Sequence, residues 1–252
     1  MHKKIHENTL GFILAGGLGT RLRPYTLTLP KPMLPINGRP ILEILLLQMK
    51  YYGIDEVVVS LGYLGDIVKA YCQFLSNKPD YPSRIRFVDE STPLGTCGPL
   101  SRLDDETLKD IERVLVINGD ILSDISFDLL LGKHISCDAF LTVAIRHSVT
   151  RLPLGIVEVD EQGRVRDFKE KPGFEALDNL GIYVYSRRAI ARIPANTFYG
   201  ADRMILDNLE EEIISYRQDG KYMWIDVGTH SEFEKAQTDF KNIRKSLTFL
   251  KE

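Results

Sequence analysis

LAGGLGTRLRPYTLTLPKP, running from Leu14 to Pro32, leaves an apolar stretch that begins at Leu10 and turns at once to glycine and cation. Leu14 and Ala15 close the apolar run. Gly16, Gly17 and Gly19 then carry no side chains, so neighbouring backbone N–H groups can converge on one anion. Arg21, Arg23, Lys31 and Arg39 add positive charge, and no Asp or Glu occurs between Asn8 and Leu42. Over the whole chain, however, acids outnumber bases by 35 to 32. A local basic pocket in a mildly acidic protein points to a small polyanionic ligand. A tight strand-exit turn is the plainer alternative for the glycines. It leaves unexplained the acid-free run and the placing of Lys31 between Pro30 and Pro32, which restrict the backbone on both sides of that lysine.

Two familiar phosphate loops do not fit. A dinucleotide fingerprint would need glycine where Leu22 stands, and Pro24 interrupts the helix that should follow. A Walker A loop would need Gly-Lys-Ser/Thr after its spacer, which is absent. The 252 residues, 44% hydrophobic and 27% charged, suffice for a substantial core. The net charge of −3 argues against a nucleic-acid surface. Cys72, Cys97 and Cys137 match neither a zinc spacing nor a disulfide framework, which favours a reducing compartment. The start MHKKIHENTLGFILAGG has the basic opening of a leader, but its apolar part is short and Glu7 and Asn8 interrupt it. PILEILLLQM is too short to span a bilayer and contains Glu43. These features lead us to expect a soluble cytoplasmic protein with no membrane partner.

Leu10–Ala15, Val57–Ser60, Ile85–Val88 and Val114–Asn118 read as buried strands, with helical spacing over Ile41–Tyr51 and Asp66–Leu75. This alternation predicts an α/β fold with a mostly parallel, Rossmann-like sheet flanked by helices. Ligands of such sheets lie beyond the carboxyl ends of the strands, so the glycine loop and Asn118-Gly119-Asp120 should open onto one crevice. Further on, Ala139–Arg146, Gly155–Val159, Val165–Lys169 and Gly181–Ser186 read as strands of a small antiparallel part on the same sheet. Helices are expected over Arg187–Ile193 and Arg203–Glu212, then a strand over Tyr222–Asp226 and a last helix from about Ser231. That charged helix has an apolar side suited to a subunit contact in a homo-oligomer. His230 should cap or pack near it.

LAGGLGTRLRPYTLTLPKPMLPINGRPILE resembles the signature of sugar-1-phosphate nucleotidylyltransferases, the nucleotide-sugar pyrophosphorylases. EVVVSLGYLGDIVKAY, TPLGTCGPL, VINGD, FKEKP, GIYVYS and WIDVGTH follow in the family's order. The guanylyltransferase branch, acting on mannose 1-phosphate or heptose 1-phosphate, is the most similar, through Pro93–Gly98. The resemblance implies one catalytic domain over residues 1–252, with a nucleotide half to about 135, a sugar half over about 136–230 and the C-terminal helix over 231–252. The left-handed β-helix domain of the long mannose-type enzymes is not expected.

By this resemblance a nucleoside triphosphate and a sugar 1-phosphate are joined with release of pyrophosphate, with Mg²⁺ as cofactor. Catalysis of this kind rests on bringing two anions together and neutralising the leaving group. Arg21 and Lys31 would hold the triphosphate, with Arg23 either in support or peripheral. Leu14, Ala15, Gly16, Gly17, Gly19 and Thr20 would form the nucleotide loop. Asp120 and Asp226 would be the metal ligands, since Mg²⁺ prefers hard oxygens; a lone aspartate after a strand would otherwise read as a helix cap. Lys171 would grip the sugar phosphate, and Glu170, Gly155 and Asn179 would meet the sugar. The match loosens there, since LPLG, ending in Gly155, replaces the usual YG before the strand and Leu180 the usual alanine, and Asn179 reads equally well as a strand-entry residue. Gly95 would pack near the base. Glu90, where guanylyltransferases carry an acid, would read guanine through N1–H and the 2-amino group, giving GTP as donor. A solvated strand-end acid is the other reading of Glu90. A thymidylyl- or uridylyltransferase acting on glucose 1-phosphate, a non-catalytic relative, and a glycosyltransferase are the competing functions. The five charged positions Arg21, Lys31, Asp120, Lys171 and Asp226 favour an active enzyme, and the lack of a tight Asp-x-Asp disfavours the glycosyltransferase.

Overall fold

The computed structural model of the protein describes residues 6–250. Residues 1–5, with the basic start of the leader-like segment, and residues 251–252, the end of the expected C-terminal helix, lie outside the described residues. Strand β1 (Thr9–Leu14) alternates as a two-sided buried strand must. Leu10 and Phe12 enter one core cluster and Ile13 the other, all fully buried. After the glycine loop come the short ribbon strands β2 (Pro35–Ile36) and β3 (Arg39–Pro40), helix α1 (Ile41–Tyr51), β4 (Glu56–Leu61), α2 (Gly65–Leu75), β5 (Arg84–Asp89) and β6 (Arg113–Asn118). The four expected strands and two expected helices of this half are all present, within one residue at each end.

The second half adds β7 (Ile121–Ser123), α3 (Phe127–Ser136), β8 (Leu141–Arg151), β9 (Ile156–Val159), β10 (Val165–Lys169) and β11 (Gly173–Ser186). Helices α4 (Arg187–Ile190) and α5 (Ala201–Leu206), strands β12 (Ile213–Tyr216) and β13 (Trp224–Asp226), and helices α6 (His230–Thr238) and α7 (Phe240–Ser246) complete the chain. The main sheet has the order β12-β8-β11-β6-β1-β4-β5, with β11 alone running against the other six. It is the mostly parallel mixed sheet that the alternation predicts. No left-handed β-helix occurs among the described residues.

Three differences from the sequence reading have local causes. The expected helix Arg203–Glu212 stops at Leu206, and Ile213–Tyr216 becomes a parallel edge strand on β8. Asn208 turns inward to donate to the Met204 carbonyl at 2.9 Å, which ends the helical run. Helix α3 was not read from the sequence at all; Ser126 caps it by accepting from Leu129 N–H. Strand β11 begins eight residues earlier than expected, because Gly173–Asn179 pairs with Ile145–Arg151 outside the core. That outer pair and the separate β9–β10 hairpin form an exposed arm.

Candidate active site

Strand β1 exits the sheet between two glycines. A Cβ on Gly62, just after β4, would stand 2.4 Å from the Gly16 carbonyl oxygen. One on Gly119, just after β6, would stand 2.5 Å from the Leu14 oxygen. Three strand ends therefore close up backbone to backbone. Ser60 Oγ accepts from Ala15 N–H at 3.1 Å and holds the turn. Gly19 sits at φ +60°, where glycine is favoured, and its carbonyl accepts from Leu22 N–H at 2.9 Å and from Thr26 Oγ at 2.8 Å. Gly17 and Thr20 are exposed, and a Cβ on Gly17 would meet nothing. The loop breaks into short 3-10 turns at Thr20–Leu22, Tyr25–Leu27 and Lys31–Met33 rather than a helix, as Pro24 predicts. Among the described residues, the N–H groups of Gly16, Gly17 and Gly19 make no hydrogen bond, so they remain available to an anion.

Lys31 bridges the two aspartates singled out from the sequence. Its Nζ donates to Asp120 Oδ2 and lies 4.0 Å from Asp226 Oδ1. Asp226 arrives by the antiparallel pairing of β13 with β7, which sets Asp226 opposite Ile121, and Val227 N–H donates to the Asp120 carbonyl at 2.9 Å. Burial, and then the neighbouring Asp120 charge, hold the Asp226 carboxyl above the usual aspartate range, against the pull of Lys31 and Arg21. Arg21 Nη2 would be 3.2 Å from a Cβ on Gly228, so this guanidinium faces the same carboxylate.

Oδ1 of Asp120 and Oδ1 of Asp226 are both buried and without a hydrogen-bond partner. Two unpaired hard oxygens on adjacent carboxylates fit a small divalent cation. No third His, Cys, Asp or Glu joins them among the described residues, so phosphate and water oxygens would complete the shell, as Mg²⁺ commonly permits.

Helix α6 holds this arrangement from behind. Thr229 caps it, accepting from Glu232 N–H, three residues after Asp226. His230 Nε2 lies 2.6 Å from the Arg23 carbonyl, and the Tyr25 ring packs on both His230 and Phe233 at 5.5 Å. Lower down, Gln237 donates to the Pro35 carbonyl at 2.6 Å and accepts from Asn37 N–H at 2.8 Å. His230 packs at the start of α6, as expected, and also reaches across to the loop that carries Arg21.

At the β5 end, Glu90 is half-buried. One carboxylate oxygen accepts from Leu94 N–H at 3.1 Å, and the other would be 2.4 Å from a Cβ on Gly16. Burial raises its pKa above the ordinary glutamate value. The side chain thus lies against the crevice wall rather than in bulk solvent, with acceptor capacity to spare. Gly95 is at φ +80°, and a Cβ there would stand 2.8 Å from the Tyr199 carbonyl oxygen. Its glycine is required by the protein's own backbone. Cys97 is fully buried with its Sγ 3.0 Å from Tyr185 OH, and burial pushes its thiol up to about 12, as befits a packing residue.

The sugar-side residues divide. A Cβ on Gly155 would meet Phe168 at 2.4 Å and Glu170 Oε2 at 3.2 Å, so the arm brings Gly155 and Glu170 together. Lys171 stands next, at φ +43°, its Nζ 3.7 Å from Glu170 Oε1, both side chains exposed. Asn179 is apart from them, at the foot of the arm. Its amide donates to Tyr183 OH at 2.6 Å and accepts from Gly181 N–H at 3.0 Å, which shapes the irregular stretch where β11 enters the sheet. These two bonds favour the strand-entry reading. No hydrogen bond or ion pair among the described residues joins Glu170 or Lys171 to Lys31, Asp120 or Asp226. Sequence reasoning missed Thr26, Ser60 and Gln237, whose types carry no motif signal; only contacts across the fold expose them.

The family model described as "Nucleotidyl transferase" matches residues 10–243. The chain is 34% identical over 233 residues to a mannose-1-phosphate guanylyltransferase of Mycobacterium tuberculosis, covering 90% of this chain and 63% of that protein. It is 30% identical to a D-glycero-alpha-D-manno-heptose 1-phosphate guanylyltransferase of Aneurinibacillus thermoaerophilus, covering 91% and 97%. A UTP–glucose-1-phosphate uridylyltransferase of Synechocystis is 29% identical over 89% of this chain and 61% of its own. The chain thus spans less than two thirds of the mannose- and glucose-type relatives and nearly all of the heptose-type one. The crystal structure of HddC from Yersinia pseudotuberculosis superposes with a TM-score of 0.68 at 26% identity, covering 92% and 99%. With that match over nearly its whole length, and with the expected lysine and aspartates gathered at the strand ends, the chain belongs to the nucleotidyl transferase family, among the sugar-1-phosphate nucleotidyltransferases.

Proposed function

We propose that this chain transfers a nucleotidyl group from a nucleoside triphosphate, with GTP favoured, to a mannose- or heptose-type sugar 1-phosphate and releases pyrophosphate. The carrying observation is the meeting of Lys31, Asp120 and Asp226 beside the open Gly16–Gly19 turn. A sugar-phosphate oxygen attacks the α-phosphorus while the bond to the β-phosphate oxygen breaks. The nucleophile needs no strong base, because a phosphate monoester with a second pKa of about 6 is already largely dianionic. The free N–H groups of the turn, with Arg21 and Lys31, offset the triphosphate charge as it shifts to pyrophosphate. Mg²⁺ held by Asp120 and Asp226 would add charge neutralisation at the phosphates. Lys171, on the arm, meets the incoming sugar phosphate.

Glu90 supports the lean to guanine, and so do the two guanylyltransferase relatives. The uridylyltransferase relative keeps UTP with glucose 1-phosphate as the second reading. The three cysteines are free, two of them buried, in keeping with a reaction in the cytoplasm. No helix among the described residues is long and apolar enough to cross a membrane. The deciding experiment is a grid of nucleoside triphosphates against sugar 1-phosphates with Mg²⁺, scored by pyrophosphate release. GTP with a manno-configured sugar phosphate is expected to lead. No release from any pair would overturn the reading as an enzyme, and release led by UTP or dTTP would overturn the base assignment.

A further inference from the structure

Asn118 ends β6 beside Leu14 of β1, two residues before Asp120. Side chains alternate along a strand, and Val114 and Val116 lie in the second core cluster, so Asn118 turns to that same face of the sheet. There it meets β11. A Cβ on Gly181 would stand 2.5 Å from Asn118 Nδ2, and Gly181 has φ +69°. The glycine makes room for the amide, yet nothing in the protein uses it. Oδ1 of Asn118 is buried without a partner, and Nδ2 forms no hydrogen bond among the described residues.

Buried amide oxygens are normally paired, so an unpaired one in the wall of a ligand crevice is available to the ligand. The partner's chemistry can be narrowed. Phosphate oxygens could accept from Nδ2 but offer no donor, and would leave the buried Oδ1 unpaired. A base read by Glu90 sits at the β5 end, three strands away, or about 14 Å at ordinary strand spacing. A hydroxyl remains. It both donates and accepts, so it satisfies whichever amide atom faces it, and the last torsion of an asparagine turns easily. Beyond Asn118 lies β11, which leads out to the arm bearing Gly155, Glu170 and Lys171.

We propose that Asn118 is a specificity-determining residue that hydrogen-bonds a hydroxyl of the sugar 1-phosphate, which rests on the function proposed above. The test compares the wild type with Asn118→Leu on the parent sugar 1-phosphate and on analogues that each lack one hydroxyl. The wild type should lose about tenfold in kcat/KM on one analogue. Asn118→Leu should lose about tenfold on the parent, through KM for the sugar phosphate, and nothing further on that analogue. Calorimetric affinity for the nucleoside triphosphate, half-saturating Mg²⁺ and Tm should all stay at wild-type values. Asn118→Ser, a smaller polar replacement, should show the same loss and serves if leucine is not accommodated. Unchanged sugar KM with every analogue penalty intact would overturn the proposal. So would a loss of nucleotide affinity, which would make the hydroxyl a ribose one. A wild type inactive on every pair would instead overturn the function itself.

Discussion

Glu90, with one oxygen on Leu94 N–H and the other toward Gly16, is a half-buried carboxylate with its pKa raised. Only its ionised form can accept from both guanine donors. As pH falls, a raised pKa means that protonation sets in above the ordinary glutamate range. The preference for GTP over UTP in kcat/KM should therefore weaken toward acid pH, while Glu90→Gln should show a ratio about tenfold lower and flat with pH. A wild-type ratio independent of pH would remove Glu90 from base reading. The two lysines differ in a comparable way. Lys31 is largely enclosed between carboxylates, whereas Lys171 stands exposed on the arm. Lys31→Ala should act mainly on kcat, because the triphosphate charge shifts most in the transition state. Lys171→Ala should act mainly on KM for the sugar phosphate. Steady-state kinetics with each substrate varied in turn separates the two; identical changes in both mutants would merge the roles.

Helix α6 begins four residues after Asp226 and touches the glycine loop at Arg23, so it couples two parts of the candidate site that share no strand. The loop has no long regular structure of its own, and Arg21 depends on such contacts for its aim. His230→Ala should leave the Tm nearly unchanged and lower kcat about tenfold, since small misplacements of a charged group are costly in rate. KM for the sugar phosphate should not move. His230→Gln, whose amide can still donate to the Arg23 carbonyl, should recover most of the rate. A fall in Tm with no effect on kcat would reduce the contact to packing.

Across the whole molecule, the β7–β13 pairing gathers Asp120 and Asp226 around Lys31, and it does so at the expense of Asp226's ionisation. A carboxyl whose folded pKa is raised takes up protons more readily in the native chain. Its contribution to stability is present in acid and lost as pH rises through the folded pKa. Asp226→Asn should accordingly raise Tm at neutral pH in metal-free buffer, with the difference closing in acid, while turnover with Mg²⁺ falls a hundredfold or more. Calorimetric melts over pH alongside pyrophosphate release check both halves. A variant that stays active at ordinary Mg²⁺ would end the metal assignment.

The early strands and α1 were legible because each is a compact apolar run bounded by glycine or polar residues, and burial on both faces leaves such runs few other conformations. The glycine loop was legible for a different reason: glycines and cations in an acid-free stretch have a chemistry independent of the fold. The sequence alone therefore determined the parallel strands of the first half, the loop's composition and the family. It could not determine which distant residues meet. The strand over Tyr222–Asp226 is legible, but β7, three residues long, is too short for any periodicity, and it is the pairing of the two that brings Asp226 to Asp120. Strand β12 was hidden behind an acidic run, and it forms only because β8 offers an unpaired edge. Asn179, matched to the sugar site, uses both amide atoms on its own strand, while Asn118 at the end of neighbouring β6 uses neither. Residue type was identical in the two cases. Only the tertiary structure, which decides where each polar atom finds a partner, could tell the asparagine whose amide is engaged from the one whose amide is not.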